Sequence, residues 1–472
     1  MSHHGLSPDR IRRLEGFGQT AHADGYLYRP SRVEEIHEAL DGARVSGRQV
    51  VLRGAGRSYG DASVAAESVI LDLGRMNQVL AWDSNDGRIT VEAGATFEGM
   101  WRHILEDGYW LPVVSGTMYP TIAGALAMNI HGKNNFQAGT LGEHVESIDV
   151  LFPYGEERTL TPEHPFFHAV ISGAGLLGVI TRATLRMKKV SSGDLRVLPI
   201  SCRNWDEQFA AFESLEADAD YLVSWIDGLA HGDQAGRGLF HAAWHEDGDS
   251  PSSTSLSPSQ QDLPDTILGL LPKSVVWRFL KPLNNRFGMR VLNAAKYRSS
   301  RLLGNGKPIH ESLVAFTFLL DYVPNWRRAY GRGGFIQYQT FLPKETAQAV
   351  FAQQLAMARQ AGLPPFLAVL KRHRPDPFLF SHGVAGYSLA LDFKRTERRA
   401  ADLTVLAHRM NDLVLQSGGR FYLAKDSTLR AEDFRRSLPD GTLDKYFGIK
   451  KQVDPDSLLT SQLAKRLELD PR

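Results

Sequence analysis

The apolar positions along this chain change period several times, and each change predicts an element. Val33, Ile36, Leu40 and Ala43 recur at helical spacing behind Ser31-Arg-Val-Glu34, a capping-box pattern, which predicts a helix from Val33 to Ala43 with Ser31 at its start. Three short runs rich in β-branched residues follow, Gln49–Arg53, Val69–Leu73 and Arg88–Ala93, and each reads as a strand. Short strands and helices thus alternate through the first 190 residues, the pattern of an α+β domain. Beyond that the pattern loosens, and residues 246–263, rich in Ser, Asp, Pro and Gln, read as a mobile insertion. Ile267–Lys281 then mixes large apolar side chains with Lys and Arg. That mixture suits a segment lying on a membrane surface, or a helix packed on its own domain and covering a pocket. Order returns with Gly334–Leu342, whose alternation predicts a strand with Gln337 and Gln339 on one face. A helix over 347–361 and a strand over 366–371 continue a second α+β domain.

Composition limits what such a chain does. At 472 residues it exceeds one ordinary core, taking about 150 residues per domain, and it is long enough to enclose a large ligand. A formal net charge of +1 gives no field that would draw nucleic acid. One cysteine, Cys202, excludes an intramolecular disulfide framework and Cys-based metal sites, so it reads as a packing residue. The opening Met-Ser-His-His-Gly-Leu-Ser-Pro-Asp-Arg has no apolar signal core, and no stretch approaches the roughly 20 apolar residues of a membrane span. The expected place is the cytoplasm, with peripheral contact at a membrane left open.

Three glycine-bearing segments carry candidate chemistry. Gly173-Ala-Gly-Leu-Leu-Gly178 has the letters of a dinucleotide fingerprint, but helix-like Pro165–Ile171 precedes it and strand-like Val179–Arg186 follows. That order is the reverse of what places a pyrophosphate at a helix N-terminus, so a tight turn is expected. Arg53-Gly-Ala-Gly-Arg-Ser-Tyr-Gly-Asp61 follows a strand, and its glycines leave backbone N–H groups unobstructed beside Ser58 and two arginines. Such a nest binds a pyrophosphate. In Ser115–Asn135 small residues fill the middle, where a helix or turn approaches a flat ring system, and His131 and Lys133 stand just beyond. His164-Pro-Phe-Phe-His168 has a metal-like spacing without a zincin glutamate, and no metal is assigned to it.

Taken together, Arg53–Asp61, Ile130-His-Gly-Lys-Asn134, Gln337-Tyr-Gln339, Tyr422-Leu-Ala-Lys-Asp-Ser427 and Lys451-Gln-Val-Asp-Pro455 resemble the vanillyl-alcohol-oxidase family with its PCMH-type FAD-binding domain. Within it they look like the branch that oxidises decaprenylphosphoryl-ribose. The resemblance implies an α+β fold with a two-part FAD-binding domain over 1–190, a substrate or cap domain over 191–415, and a segment over 416–472 that returns to the flavin. Arg57 stands where many members have the histidine that carries the flavin, which implies non-covalent FAD.

The cofactor-binding set is then Arg53, Gly54, Ala55, Gly56, Arg57, Ser58, Tyr59, Gly60, Asp61, Gly116, Thr117, Thr121, Ile122, Ala123, Gly124, Met128, Asn129, Ile130, His131, Ile180 and Tyr422. Tyr59, Lys133, Trp225, Gln337, Gln339, Lys371 and Lys425 are expected to face substrate. For removal of a hydroxyl proton Lys425 comes first and His131 second. The branch has a cysteine and an aromatic residue where this chain has Ala390 and Thr317, which bears on substrate identity. The implied activity is oxidation of a secondary hydroxyl on a sugar or polyprenyl-phosphate sugar, half of an epimerisation completed by a separate NAD(P)H-dependent reductase. An aldonolactone or alditol oxidase is the alternative within the superfamily. It is disfavoured because Asp444-Lys-Tyr-Phe-Gly-Ile-Lys450 replaces the His-Trp-x-Lys-like ending of those enzymes. A flavin-binding scaffold without turnover is the alternative outside it.

Overall fold

The computed structural model describes residues 6–246, 256–267 and 271–470. The first helix spans Val33–Val45 and buries Ile36, Ala39, Leu40 and Ala43 along one stripe. It starts at Val33 as the apolar spacing predicts, but without the capping box: Arg32 holds the N-cap position with no side-chain cap, and the Ser31 N–H donates to the Glu35 carboxylate at 2.8 Å.

Two sheets build the N-terminal part. In the first the order is Ile11–Glu15, His22–Tyr28, Val69–Asp72, Val50–Arg53, with the last three strands parallel. Val69, Ile70 and Leu71 are all buried, as an inner parallel strand covered on both faces requires. The second sheet is antiparallel throughout, in the order Val79–Asp83, Arg88–Glu92, Val179–Arg186, Val145–Leu151, Glu157–Leu160.

A larger sheet follows, with strand order Ile309–Ser312, Asp194–Cys202, Gly238–His245, Tyr221–Ile226, Leu367–His373, Gly386–Lys394, Phe335–Pro343, Arg420–Phe421. Its antiparallel register lines up three rows. Trp225 faces Val369, which faces Ala390, which faces Gln339. The adjacent rows join Leu367, Asp392 and Gln337, and Lys371, Ser388 and Phe341. Because side chains alternate along a strand, rows two residues apart share one face. Helices Trp205–Leu215, Lys344–Gln360 and Ala400–Gln416 pack on this sheet.

The end of the chain crosses back to the first sheet. Tyr59 N–H donates to the Ala424 carbonyl at 2.8 Å and Val50 N–H to the Leu458 carbonyl at 2.7 Å. Lys450, fully buried, donates to Leu176 O, Leu459 O and the Asp454 carboxylate at 2.7–2.8 Å.

Of the expected insertion, 247–255 lie outside the described residues. Its C-terminal flank is anchored, since the buried Gln261 side chain donates to Gly193 O and accepts from Val314 N–H. Of the segment read as interfacial or pocket-covering, 268–270 lie outside the described residues; the rest leads into helix Lys273–Leu283, which packs on Trp326–Tyr330 and leaves Phe279 exposed. Among the described residues no helix is long and apolar enough to cross a membrane.

Candidate active site

A cavity of about 1010 Å3 runs between the N-terminal sheets and the face of the large sheet that carries the three rows. Its nucleotide-like end is the loop after strand Val50–Arg53. The backbone N–H groups of Ala55, Gly56, Arg57 and Ser58 have no acceptor among the described residues. Gly56 sits at φ +63°, where a Cβ would also fall 2.2 Å from Arg53 Nη2, so this turn needs glycine. Arg53 acts as a brace, donating to Ser63 O, Ser63 Oγ and Glu15 O. A Cβ on Gly54 would lie 2.0 Å from Thr121 Oγ1, itself buried without a partner. Free N–H donors, close backbone approach and an orphaned hydroxyl in one cavity fit a large dinucleotide such as FAD. The Gly173–Gly178 turn lies beside it. Helix Phe167–Val170 precedes, strand Val179–Arg186 follows, and Gly175 and Gly178 line the wall.

Every residue expected to face substrate lines this cavity, as do Thr317 and Ala390. So do Arg53 to Tyr59, Gly116, Thr117, Thr121, Ala123, Gly124, Met128, Ile130, His131, Ile180 and Tyr422. Four expected positions do not, and each has another task. A Cβ on Gly60 would meet Asp426 O at 1.9 Å, so this glycine permits the C-terminal segment to pass. Asp61 is paired with Arg466 at 2.8 Å. Ile122 is wholly buried in the core beneath the small-residue turn. Asn129, at φ +42°, turns its side chain to Thr140 Oγ1 and Gly142 N–H.

At the far end Lys425 places its ammonium 3.8 Å from the Tyr59 ring centroid. Burial pushes it down to about 7; the nearby charge of Asp392 works against that fall and that of Lys371 adds to it. Asp392 is buried in the row with Gln337, accepts from Gln337 Nε2 at 2.5 Å, and is raised by burial.

His131 belongs to a directional hydrogen-bond chain. Arg374 N–H donates to Asn135 Oδ1, so the 2.9 Å contact from His373 Nδ1 to the same oxygen requires His373 to donate. His373 Nε2 is then the acceptor for Ser388 Oγ–H at 2.7 Å. Ser388 has spent its proton and accepts from Gln339 Nε2 at 3.2 Å, and the second Gln339 amide hydrogen points at His131 Nε2, 3.1 Å away. His131 Nδ1–H therefore donates to His382 Nε2 at 2.9 Å. Burial holds all three histidines well toward the neutral form, and each keeps one tautomer. Both ring nitrogens of His131 are engaged, and among the described residues nothing donates to the Gln339 side-chain carbonyl, a residue of the cavity wall.

Sequence reasoning missed Asp392, Ser388, His373 and His382. Strand alternation from Ala390 places Ser388 and Asp392 on its own face, and alternation from Lys371 does the same for His373. His382 gave no such signal, because a loop carries it. Asp321 was also missed; it accepts from Thr117 Oγ1 at 2.7 Å and from Met118 N–H at 2.8 Å, joining segment 319–327 to the small-residue turn.

The chain is similar to known FAD-binding proteins. A family model described as an FAD binding domain matches residues 25–161. The chain is 33% identical over 470 residues, 98% of each chain, to decaprenylphosphoryl-beta-D-ribose oxidase of Mycolicibacterium smegmatis. It is 27% identical over 377 residues, 78% of this chain and 98% of the other, to an uncharacterized protein of Streptomyces coelicolor. A third relative, D-arabinono-1,4-lactone oxidase of Debaryomyces hansenii, is 26% identical over 175 residues, 34% of this chain and 31% of its own. A cavity with an unobstructed backbone nest, matched by an FAD-binding model and by similarity over the whole length of a named oxidase, makes this chain an FAD-dependent oxidoreductase of the vanillyl-alcohol-oxidase family, within its decaprenylphosphoryl-ribose oxidase branch.

Proposed function

We propose that this flavoenzyme oxidises a secondary hydroxyl of a polyprenyl-phosphate-linked sugar to a ketone. The observation that carries the reading is the meeting of Lys425, Gln337 and Gln339 in one end of the cavity, beside the turn at 116–131. FAD, when bound, supplies the hydride acceptor. The other requirement is a group that takes the hydroxyl proton. A neutral Lys425 amine accepts it, with Asp392 alongside to balance the ammonium so formed. Gln339, held by Ser388, offers its carbonyl to a neighbouring hydroxyl and orients the ring. His131 has no free nitrogen for proton transfer, so its part is to fix Gln339 and pack in the ring cluster with Phe341 and Tyr422.

The same reading assigns 1–190 to a two-part FAD-binding domain and 191–415 to a cap that carries the large sheet. Residues 416–472 complete the site through Tyr422 and Lys425. Arg57 leaves FAD non-covalent, its guanidinium lying 4.8 Å from the Tyr119 ring centroid and 5.4 Å from that of Phe17. Similarity to the lactone oxidase covers only 34% of this chain, whereas similarity to the decaprenylphosphoryl-ribose oxidase includes the cap. The keto product calls for a separate reductase if the net result is epimerisation.

The test is anaerobic mixing of the yellow holoenzyme with polyprenyl-phosphate pentoses, free pentoses and aldonolactones. Bleaching by the phosphate-linked sugar in preference to the others is expected; preferential bleaching by a lactone, or none by any alcohol, overturns the reading.

A further inference from the structure

Helices Lys273–Leu283 and Arg286–Leu303 pack against each other and form a surface of one sign of charge. Residues 271–310 hold nine Lys and Arg and no Asp or Glu, in a chain whose net charge is +1, so the rest of the molecule is net acidic. Among the described residues no carboxylate pairs with Arg278, Lys281, Arg286, Arg290 or Arg298, whereas Arg88 and Arg186 on the antiparallel sheet meet Asp86 and Glu146. Lys394, which donates to the Asn284 carbonyl between the two helices, adds a further cation. The same stretch leaves large apolar side chains in water. Nine of the fifteen such exposed side chains lie between Phe279 and Tyr322, among them Phe287 at 78% and Leu302 at 83%. Single exposures scattered over a surface are ordinary, but this concentration is a patch.

The longer helix has an inner and an outer face. It buries Gly288, Asn293 and Tyr297, rests on strands Asp194–Cys202 and Gly238–His245, and donates from Asn293 to the buried Asp227 carboxylate at 2.7 Å. On the outer side Phe287, Val291, Arg298 and Leu302 fall within about 60° of one another at 3.6 residues per turn, with Arg290 and Arg301 at the border. Cations and apolar groups are therefore interleaved along one stripe. A protein partner would call for an apolar centre depleted of charge, with the cations at its rim, and a second copy of this chain would bring like charges together. An anionic bilayer accepts the interleaved pattern, because the apolar side chains enter the acyl boundary while the long cationic ones reach back to the headgroups. The shorter helix carries the patch to the mouth of the cavity. Lys273, at its start, holds its ammonium 3.3 Å from the Tyr322 ring centroid, and Tyr322 and Leu319 are exposed residues of the cavity wall.

We infer that these two helices form a membrane-contact surface, which lays the protein on an anionic bilayer with the cavity mouth at Leu319 and Tyr322 turned toward the lipid. The binding itself is independent of the proposed function. Its consequence rests on that reading: a lipid-linked substrate passes from the bilayer into the cavity without crossing bulk water.

The experiment is co-sedimentation of the FAD-loaded protein with vesicles of phosphatidylcholine alone and of an equal mixture of phosphatidylcholine and phosphatidylglycerol. It compares the natural sequence, the pair Phe287→Ser with Leu302→Ser, the pair Arg290→Gln with Arg298→Gln, and Val405→Ser, an exposed apolar control on helix Ala400–Gln416. The anionic vesicles should bind at least about tenfold more tightly than the neutral ones, since each cation close to an anionic surface adds about fivefold. That preference should shrink as salt is raised. Loss of the two apolar side chains should weaken binding to the anionic vesicles by about tenfold or more, and loss of the two cations by about tenfold. Val405→Ser should change nothing, and unchanged flavin absorbance shows that each variant is folded. Equal binding to both vesicles, binding to neither, or no effect of Phe287→Ser with Leu302→Ser would overturn the inference. Heparin binding as tight as that to anionic vesicles and indifferent to the apolar pair would assign the cations to a soluble polyanion, and overturn it too. The vesicles carry no substrate and the flavin does not turn over, so failure to sediment leaves the proposed oxidation standing, and failure of the sugar to bleach the flavin leaves the membrane contact standing.

Discussion

A lysine that removes a proton has to be neutral first, and burial lowers Lys425 to about 7, as the role proposed for it requires. Protonation below about 7 switches the base off, so flavin reduction should slow as pH falls through that value and level off above it. Lys425→Met keeps much of the stem's packing. It should retain FAD, cut anaerobic reduction by about 10²–10⁴-fold and abolish the pH step. A variant that reduces flavin at the natural rate would return the role to another group. Ser388 acts one bond further back. Ser388→Ala frees Gln339 to rotate its amide, so reduction should slow by about tenfold through a raised KM, and the imidazole nitrogen signals of His131 and His373 should move in a nitrogen-15 spectrum. Unchanged imidazole signals would show that the tautomers are set elsewhere. The cavity-lining positions expected to face substrate were legible because the strings at 130–134, 337–339 and 422–427 carry most of them. Their supports were not, since Ser388 and His382 look like any strand serine and loop histidine until the partners arrive from other elements.

Elements were legible where a single period ran unbroken. The helix at Val33–Val45 and the strand Phe335–Pro343 follow from their apolar spacing, and the helix starts at Val33 as expected although the capping box itself does not form. The C-terminal helix Thr442–Val453 is different, because its position depends on a contact far away in the chain. Lys450 and Asp454 are both fully buried, and Lys450 also ties this helix to the turn at Leu176 and to Leu459. Lys450→Met leaves the Asp454 charge without its partner, which should cost about 3–5 kcal/mol in urea unfolding. The exposed pair Arg203–Glu207 should cost well under about 1 kcal/mol on Arg203→Met. A loss at position 450 as small as that at 203 would mean that the helix is held by its apolar contacts alone.

For the molecule as a whole, the cofactor is part of the fold's stability. Acid precipitation should leave the yellow colour in the supernatant, because Arg57 offers no linkage. Added FAD should raise the unfolding free energy of stripped protein in a concentration-dependent way, by about 2.7 kcal/mol at a hundredfold excess over Kd. Flavin that stays with the pellet would refute the non-covalent reading. The sequence by itself determined the α+β class, most of the elements and the glycine nest, because these depend on local periodicity and on backbone freedom at named residues. It also determined the family, because several motifs spread over the chain agree. Only the tertiary structure decided which of the expected residues reach the cavity. Gly60, Asp61, Ile122 and Asn129 lie in the glycine-bearing segments 53–61 and 115–135 yet serve the packing of Asp426, Arg466, the core and Thr140. It alone set Asp392 beside Lys425. Side-chain direction and charge neighbourhood come from strand register between separate segments, as far apart in the chain as Trp225 and Val369, and no local pattern encodes that register.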